Sequence, residues 1–152
     1  MSLIGLPETW RFGFFNQVGS SIPSAFQPSV SGRRVRFDST GTLSYEAAAF
    51  TFLSLGTTLS IGNNSYVTGS TWSNTLSAWL GGEFFFSAFA SGNASGNVVL
   101  YLEASQDGGT TWPSPASANG AGGGVVVAVI GFGSVVNVAS TASTTRVQYF
   151  DL

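Results

Sequence analysis

The sequence predicts an all-β protein, an antiparallel β-sandwich of jelly-roll-like character. Three observations predict it. Apolar stretches are short and recur about every ten residues, with turn signals between them. β-Branched and aromatic residues are abundant, with aromatics at 14% of the 152 residues, which favours pleated, half-buried surfaces. A helical period is sustained nowhere; only Tyr45-Glu46-Ala47-Ala48-Ala49-Phe50 suggests one or two helical turns. Short strands of this kind indicate a sandwich, a jelly roll or a small barrel.

The elements follow in chain order. Residues 1–32 combine Trp10, Phe12, Phe14, Phe15 and Phe26 with Pro7, Pro23 and Pro28. Proline and glycine disfavour helix and central strand. This segment therefore reads as an extended N-terminal arm, with Trp10, Arg11, Phe12, Phe14 and Phe15 as its partner-binding residues. The alternative is a segment folded back on its own core. Residues 33–152 read as the sandwich. Arg34-Val35-Arg36-Phe37-Asp38 alternates polar and apolar, the period-2 mark of a half-buried strand. Ser39-Thr40-Gly41 is a turn, and Thr42-Leu43-Ser44-Tyr45-Glu46 completes a hairpin. Further strands are expected at Ala49–Leu55, Thr57–Ile61, Ser65–Thr68, Thr75–Leu80, Glu83–Ala90, Asn97–Ala104, Val125–Phe132 and Thr144–Leu152. Gly62-Asn63-Asn64 and Gly81-Gly82 punctuate them. Ser91–Asn97 and Pro115–Gly124 are loops of low complexity.

Charge narrows the function classes. Charged residues make up 8% of the chain, against roughly 25% in an ordinary soluble domain. A surface so poor in charge implies contact with other protein. There is no lysine, histidine or cysteine, and the net charge is −2. Nucleic-acid binders normally carry a basic stripe, so no nucleic-acid partner is expected. Disulfides and thiolate metal sites are excluded. The carboxylates show no twelve-residue Ca²⁺ loop, and no metal or cofactor is expected. Without histidine or lysine the usual bases for a nucleophilic serine are missing, and the chain is not expected to be an enzyme. The N-terminus lacks the basic and apolar regions of a signal peptide. The apolar stretch Val125–Ala139 is broken by Gly131, Gly133, Ser134 and Asn137, so no membrane span is expected.

Arg34 and Arg36 share one strand face and are candidates for meeting carboxylates of a neighbouring subunit. The competing reading is ion pairing with Asp38 and Glu46 on the same surface. Trp72, Trp79, Trp112 and Tyr66 could instead form a sugar-stacking platform, with Trp72 the best exposed of them.

One motif is specific. Ser105-Gln106-Asp107-Gly108-Gly109-Thr110-Thr111-Trp112 fits Ser-x-Asp-x-Gly-x-Thr-Trp at each defined position and resembles the Asp-box of sialidase-like propellers. The Asp107 carboxylate can accept hydrogen bonds from backbone N–H groups just downstream. Gly109 supplies a positive φ, Ser105 and Thr111 bridge the turn, and Trp112 covers it. In the families that carry it the box is a folding feature, and one copy cannot build a propeller. Taken with the strand at Val98–Glu103 before it and the Gly-rich tip and apolar strand after it, residues 70–152 resemble small β-sandwich virion accessory proteins of tailed bacteriophages. The resemblance implies a non-catalytic capsid decoration, or cement, protein. It would be made in the host cytoplasm and carried on the virion, bound to the major capsid protein or other virion proteins, as a homo-oligomer. A tail or baseplate component, and a carbohydrate-binding module at a fibre tip, are the alternatives.

Overall fold

The computed structural model describes residues 6–23, 27–54, 60–75, 79–91, 96–112, 125–131 and 143–151. These form ten strands: β1 (Thr9–Gln17), β2 (Ser29–Phe37), β3 (Leu43–Tyr45), β4 (Phe50–Ser54), β5 (Ser65–Thr68), β6 (Trp72–Ser73), β7 (Gly81–Ser91), β8 (Asn97–Ser105), β9 (Val125–Gly131) and β10 (Ser143–Asp151). No described residue is helical. One five-stranded sheet runs β5–β1–β8–β9, with β6 also on β1. The other runs β10–β7–β2–β3, with β4 also on β2. Every pairing is antiparallel. The two sheets pack face to face as a β-sandwich. The pairs β1–β8 and β2–β7 nest one inside the other, and the remaining strands flank them directly.

Strand alternation builds the core. Trp10, Phe12 and Phe14 of β1 and Val98, Leu100 and Leu102 of β8 point inward from one sheet. Val30 of β2 and Phe84, Phe86 and Ala88 of β7 meet them from the other, with Phe52 and Leu53 of β4 alongside. Rings interlock across the layers edge to face: Phe12 on Phe84 at 5.5 Å and Phe14 on Phe86 at 6.0 Å. Each such ring buried contributes about 1.5–3 kcal/mol, and each favourable ring pair about 0.5–1.5 kcal/mol more.

Trp10, Phe12 and Phe14 belong to this core and Phe15 to a second buried cluster on the other face of β1, so the arm reading is corrected for these residues; Phe26 lies outside the described residues. Residues 9–17 form β1, hydrogen-bonded to β8 on one side and to β5 and β6 on the other. Trp10, Phe12 and Phe14 have no exposed surface and Phe15 almost none, so none is available to a partner. The expected boundary at residue 32 falls inside β2. The three prolines are compatible with strands because all lie outside them: Pro7 before β1, and Pro23 and Pro28 between Ile22 and β2. Gly13 sits mid-strand because a Cβ there would lie 1.7 Å from the Tyr66 hydroxyl. The ring from β5 occupies the space that a side chain would need.

Other expectations shift for local reasons. Gly81 and Gly82 open β7 rather than punctuate it: they pair with Val35 and Arg34 of β2, and a Cβ on Gly82 would meet the Arg33 carbonyl oxygen at 2.6 Å and the Phe84 ring at 2.7 Å. Tyr45–Phe50 is not helical; it ends β3, turns and opens β4. At 75–80 the described residues are not strand. Asn74 holds this loop instead, accepting from Trp79 N–H at 2.7 Å and donating to the carbonyls of Trp79 and Leu6. The strand expected at Thr57–Ile61 lies mostly outside the described residues; Ile61 itself makes an isolated bridge to Ile22. The Pro115–Gly124 loop also lies outside them.

Candidate functional site

The Asp-box turn closes the end of β8. Ser105 Oγ donates to Asp107 Oδ1 at 2.7 Å and accepts from Gly109 N–H at 2.8 Å. Asp107 Oδ1 also accepts from the N–H groups of Thr110 and Thr111, and its Oδ2 accepts from the Thr111 hydroxyl at 2.7 Å. Gly109 has φ +96°, a conformation that strains any residue with a Cβ. Trp112 folds back and donates its indole N–H to the Gly109 carbonyl at 3.0 Å. These donors, led by Thr111, pull the Asp107 carboxyl down to about 2 from the usual 3.8. A depressed folded-state pKa adds stability above the unfolded value, and that stability is lost as pH falls toward 2. Asp107→Ala is therefore expected to lower stability at neutral pH. The gap to the parent should close between about pH 4 and pH 2, as read by denaturant midpoints across pH.

The turn is tied to the rest of the sheet through charge. The Arg11 guanidinium lies 4.1 Å from the Trp112 ring centroid, a cation–π contact. The same Arg11 donates from Nε to Glu103 Oε2 at 2.6 Å, and Tyr66 donates its hydroxyl to Glu103 Oε1. The Glu103 side chain has no exposed surface and that of Arg11 little. Beside them Phe15, Val99, Tyr101 and Tyr66 form a second apolar cluster on the outer face of the β1 sheet. Burial and the Glu103 acceptor push the Tyr66 hydroxyl far above its usual range, so it stays a donor. The arrangement ties β1, β5, β8 and the turn after β8 to one another. Sequence reasoning missed it, because Arg11 and Glu103 are 92 residues apart.

Arg34 has a similar structural post. It pairs with Glu46, whose carboxylate also accepts from the Arg34 backbone N–H at 2.9 Å. Its guanidinium lies 4.9 Å from the Trp79 ring, 5.5 Å from Phe52 and 5.6 Å from Trp72. Arg34 thus plugs one end of the core, and its carboxylate partner comes from its own hairpin. Arg36 is exposed, and its guanidinium also lies over the Trp79 ring, 4.8 Å from the centroid. Asp38, expected as an ion-pair partner, accepts instead from Thr40 and Thr42 in the β2–β3 turn.

The tryptophans do not gather into one platform. Trp10 is in the core, with Trp72 stacked on it at 6.3 Å and against Phe52 at 4.8 Å. Trp72 also donates its indole N–H to the Phe52 carbonyl. Trp79 lies against Arg34 and Arg36, and Trp112 against Arg11 on the outer face of the opposite sheet. Among the described residues no three carboxylates gather where they could hold a metal ion, and no helix is long and apolar enough to cross a membrane.

Among the described residues, one group of exposed apolar side chains lies on the outer face of the β2 sheet, where Tyr45 also donates its hydroxyl to Glu83 Oε1 at 3.2 Å. Phe37 and Leu43 stand side by side on β2 and β3, 59% and 50% exposed. Tyr45 lies beside the buried Val35, and Phe85 projects from β7. Arg33 and Glu83 face each other across β2 and β7 on the same surface, both exposed. A groove of about 360 Å³ runs between Ser31, Gly32, Arg33, Ala49, Glu83 and Phe85. A second exposed apolar set, Val125, Val126 and Val129, lies on β9. The chain matches no family model, no curated protein and no solved structure.

Proposed function

We propose that this chain is a structural virion protein of the decoration type, a β-sandwich that binds a phage shell through protein–protein contacts and acts mechanically. One observation carries the reading. Phe37, Leu43, Tyr45 and Phe85 stand exposed on one sheet face of a chain with 8% charged residues. Large apolar side chains grouped on a sheet surface mark contact sites. The sandwich behind them is stapled by two buried ion pairs and an Asp-box turn, which suits a part that must stay rigid under load. The major capsid protein is the proposed partner. A tail or baseplate position uses the same face and differs only in location.

The test uses tailed particles purified from cells that carry the gene. Peptides of the chain are expected in them, and immunogold label is expected over the shell. Label confined to the tail would move the protein to the baseplate reading. Added wild-type protein should sediment with shells stripped of it, whereas a Phe37→Ser, Leu43→Ser double variant with unchanged circular dichroism should stay in the supernatant. Absence of the chain from purified particles, or equal retention of the double variant, would overturn the proposal.

A further inference from the structure

We infer that Asp107–Gly108 is a latent self-modification site: an aspartyl–glycyl bond able to close to a cyclic imide and reopen as isoaspartate, which the hydrogen bonds of the Asp-box hold unreacted while the turn is folded. The inference stands apart from the virion reading. Of the three aspartates, only Asp107 precedes a glycine. In the reaction the Gly108 nitrogen attacks Cγ of the protonated Asp107 carboxyl. The N–Cγ bond forms, and the carboxyl hydroxyl leaves with the amide proton as water. Water then opens the imide. Breaking the bond between that nitrogen and the main-chain carbonyl carbon of Asp107 leaves the chain running through Cβ and Cγ, with a free carboxylate on Cα. One water leaves and one enters, so no further reactant is needed.

Two features make this bond vulnerable. Gly108 has no side chain to shield its nitrogen, and a Cβ there would meet nothing within 4 Å. Asp107 and Gly108 are both exposed, so water reaches them. Ring closure, however, needs the carboxyl to swing about Cα–Cβ and the 107–108 peptide to turn toward it. The turn restrains both movements. Asp107 Oδ1 accepts from Ser105 Oγ and from the N–H groups of Thr110 and Thr111, and Oδ2 accepts from the Thr111 hydroxyl. The peptide is held on either side. The Asp107 carbonyl accepts from the Thr110 hydroxyl at 3.1 Å, and the next N–H, of Gly109, donates to Ser105 Oγ at 2.8 Å. The same carboxyl donors favour the ionised form, which resists attack because it has no hydroxyl to lose. Conversion would carry the carboxylate away from Thr111 and lengthen the main chain by one carbon, so a turn that had reacted could not re-form its hydrogen bonds.

The test incubates the full chain in mildly acidic buffer, folded and, in parallel, unfolded in guanidinium chloride. Isoaspartate at position 107 is measured over time by fragment-ion mass spectrometry. The unfolded chain should accumulate it, and the folded chain should do so at least about tenfold more slowly. Thr111→Val, held well below its melting point and folded by circular dichroism, should react several-fold faster than the folded wild type. Thr111→Ser keeps the hydroxyl and should stay slow. Ser105→Ala takes the place of Thr111→Val if that variant does not fold. The same imide can form at Asn119-Gly120, with ammonia lost in place of water, so only fragments that place the product at 107 are counted. No isoaspartate at 107 in the unfolded chain, equal rates in the folded and unfolded chains, or a folded Thr111→Val no faster than the wild type would each overturn the inference. Particle binding is not among these readouts, so this inference and the proposed function can fail separately.

Discussion

Phe12→Ala is expected to cost about 3–5 kcal/mol of folding stability. Phe12 has no exposed surface and lies at the centre of β1, with β8 on one side and β5 and β6 on the other. Its ring meets Trp10 at 5.3 Å and Phe84 of the opposite sheet at 5.5 Å, both edge to face. Truncation removes the transfer energy of the ring and leaves a cavity. Strands held on both sides cannot close over that cavity, so the loss should fall at the upper end of the range. Domains of this size are stable by roughly 5–15 kcal/mol in all, so the variant should melt far below the parent. Urea denaturation followed by tryptophan fluorescence checks it. A loss below about 1 kcal/mol, the ordinary size for a surface substitution or less, would mean that β1 is not a core strand. An arm lying outside the sandwich would give that smaller result.

Arg11→Met should destabilise by about 3–5 kcal/mol, because it strands a charge rather than because it removes a contact. The Glu103 side chain has no exposed surface, and Arg11 supplies its countercharge at 2.6 Å. Without it the carboxylate keeps, among the described residues, the Tyr66 hydroxyl. The Trp112 ring also loses the guanidinium stacked on it, so the Asp-box turn should loosen. The double variant Arg11→Met, Glu103→Leu separates these effects. Replacing a whole buried pair by apolar side chains is often neutral or better. The double variant should therefore recover much of the loss seen in Arg11→Met. Equal loss in both would show that the stack on Trp112, and not the stranded carboxylate, carries the energy. Denaturant midpoints of the three proteins decide it.

The pattern-bearing strands were legible because strand alternation is written locally. The β2–β3 hairpin shows it within a few residues, whereas β5, β8 and β9 were legible as short runs rich in β-branched and aromatic residues between turn signals. The Asp-box turn is similar, since every hydrogen bond of Asp107 in it comes from within four residues. β1 was not legible. Gly13 looks like a strand breaker until the Tyr66 ring above it is known, and Trp10-Arg11-Phe12 looks like a sticky arm until β8 lies beside it. Thr75, Trp79 and Leu80 were misread because the apolar residues between 75 and 80 suggested a strand. Asn74 overrode that preference with three hydrogen bonds to the backbone.

By itself, then, the sequence determined the all-β class, most strand positions and the turns at Asp38–Thr42 and Ser105–Trp112, because local pattern and turn chemistry act over a few bonds of chain. Only the tertiary structure decided which aromatics are interior, which arginines are spoken for and which face is left outward. Those outcomes depend on what lies across the sheet. Burial of Phe12 or Glu103 is a property of neighbours that the chain brings together from about 90 residues away, and no local pattern carries it.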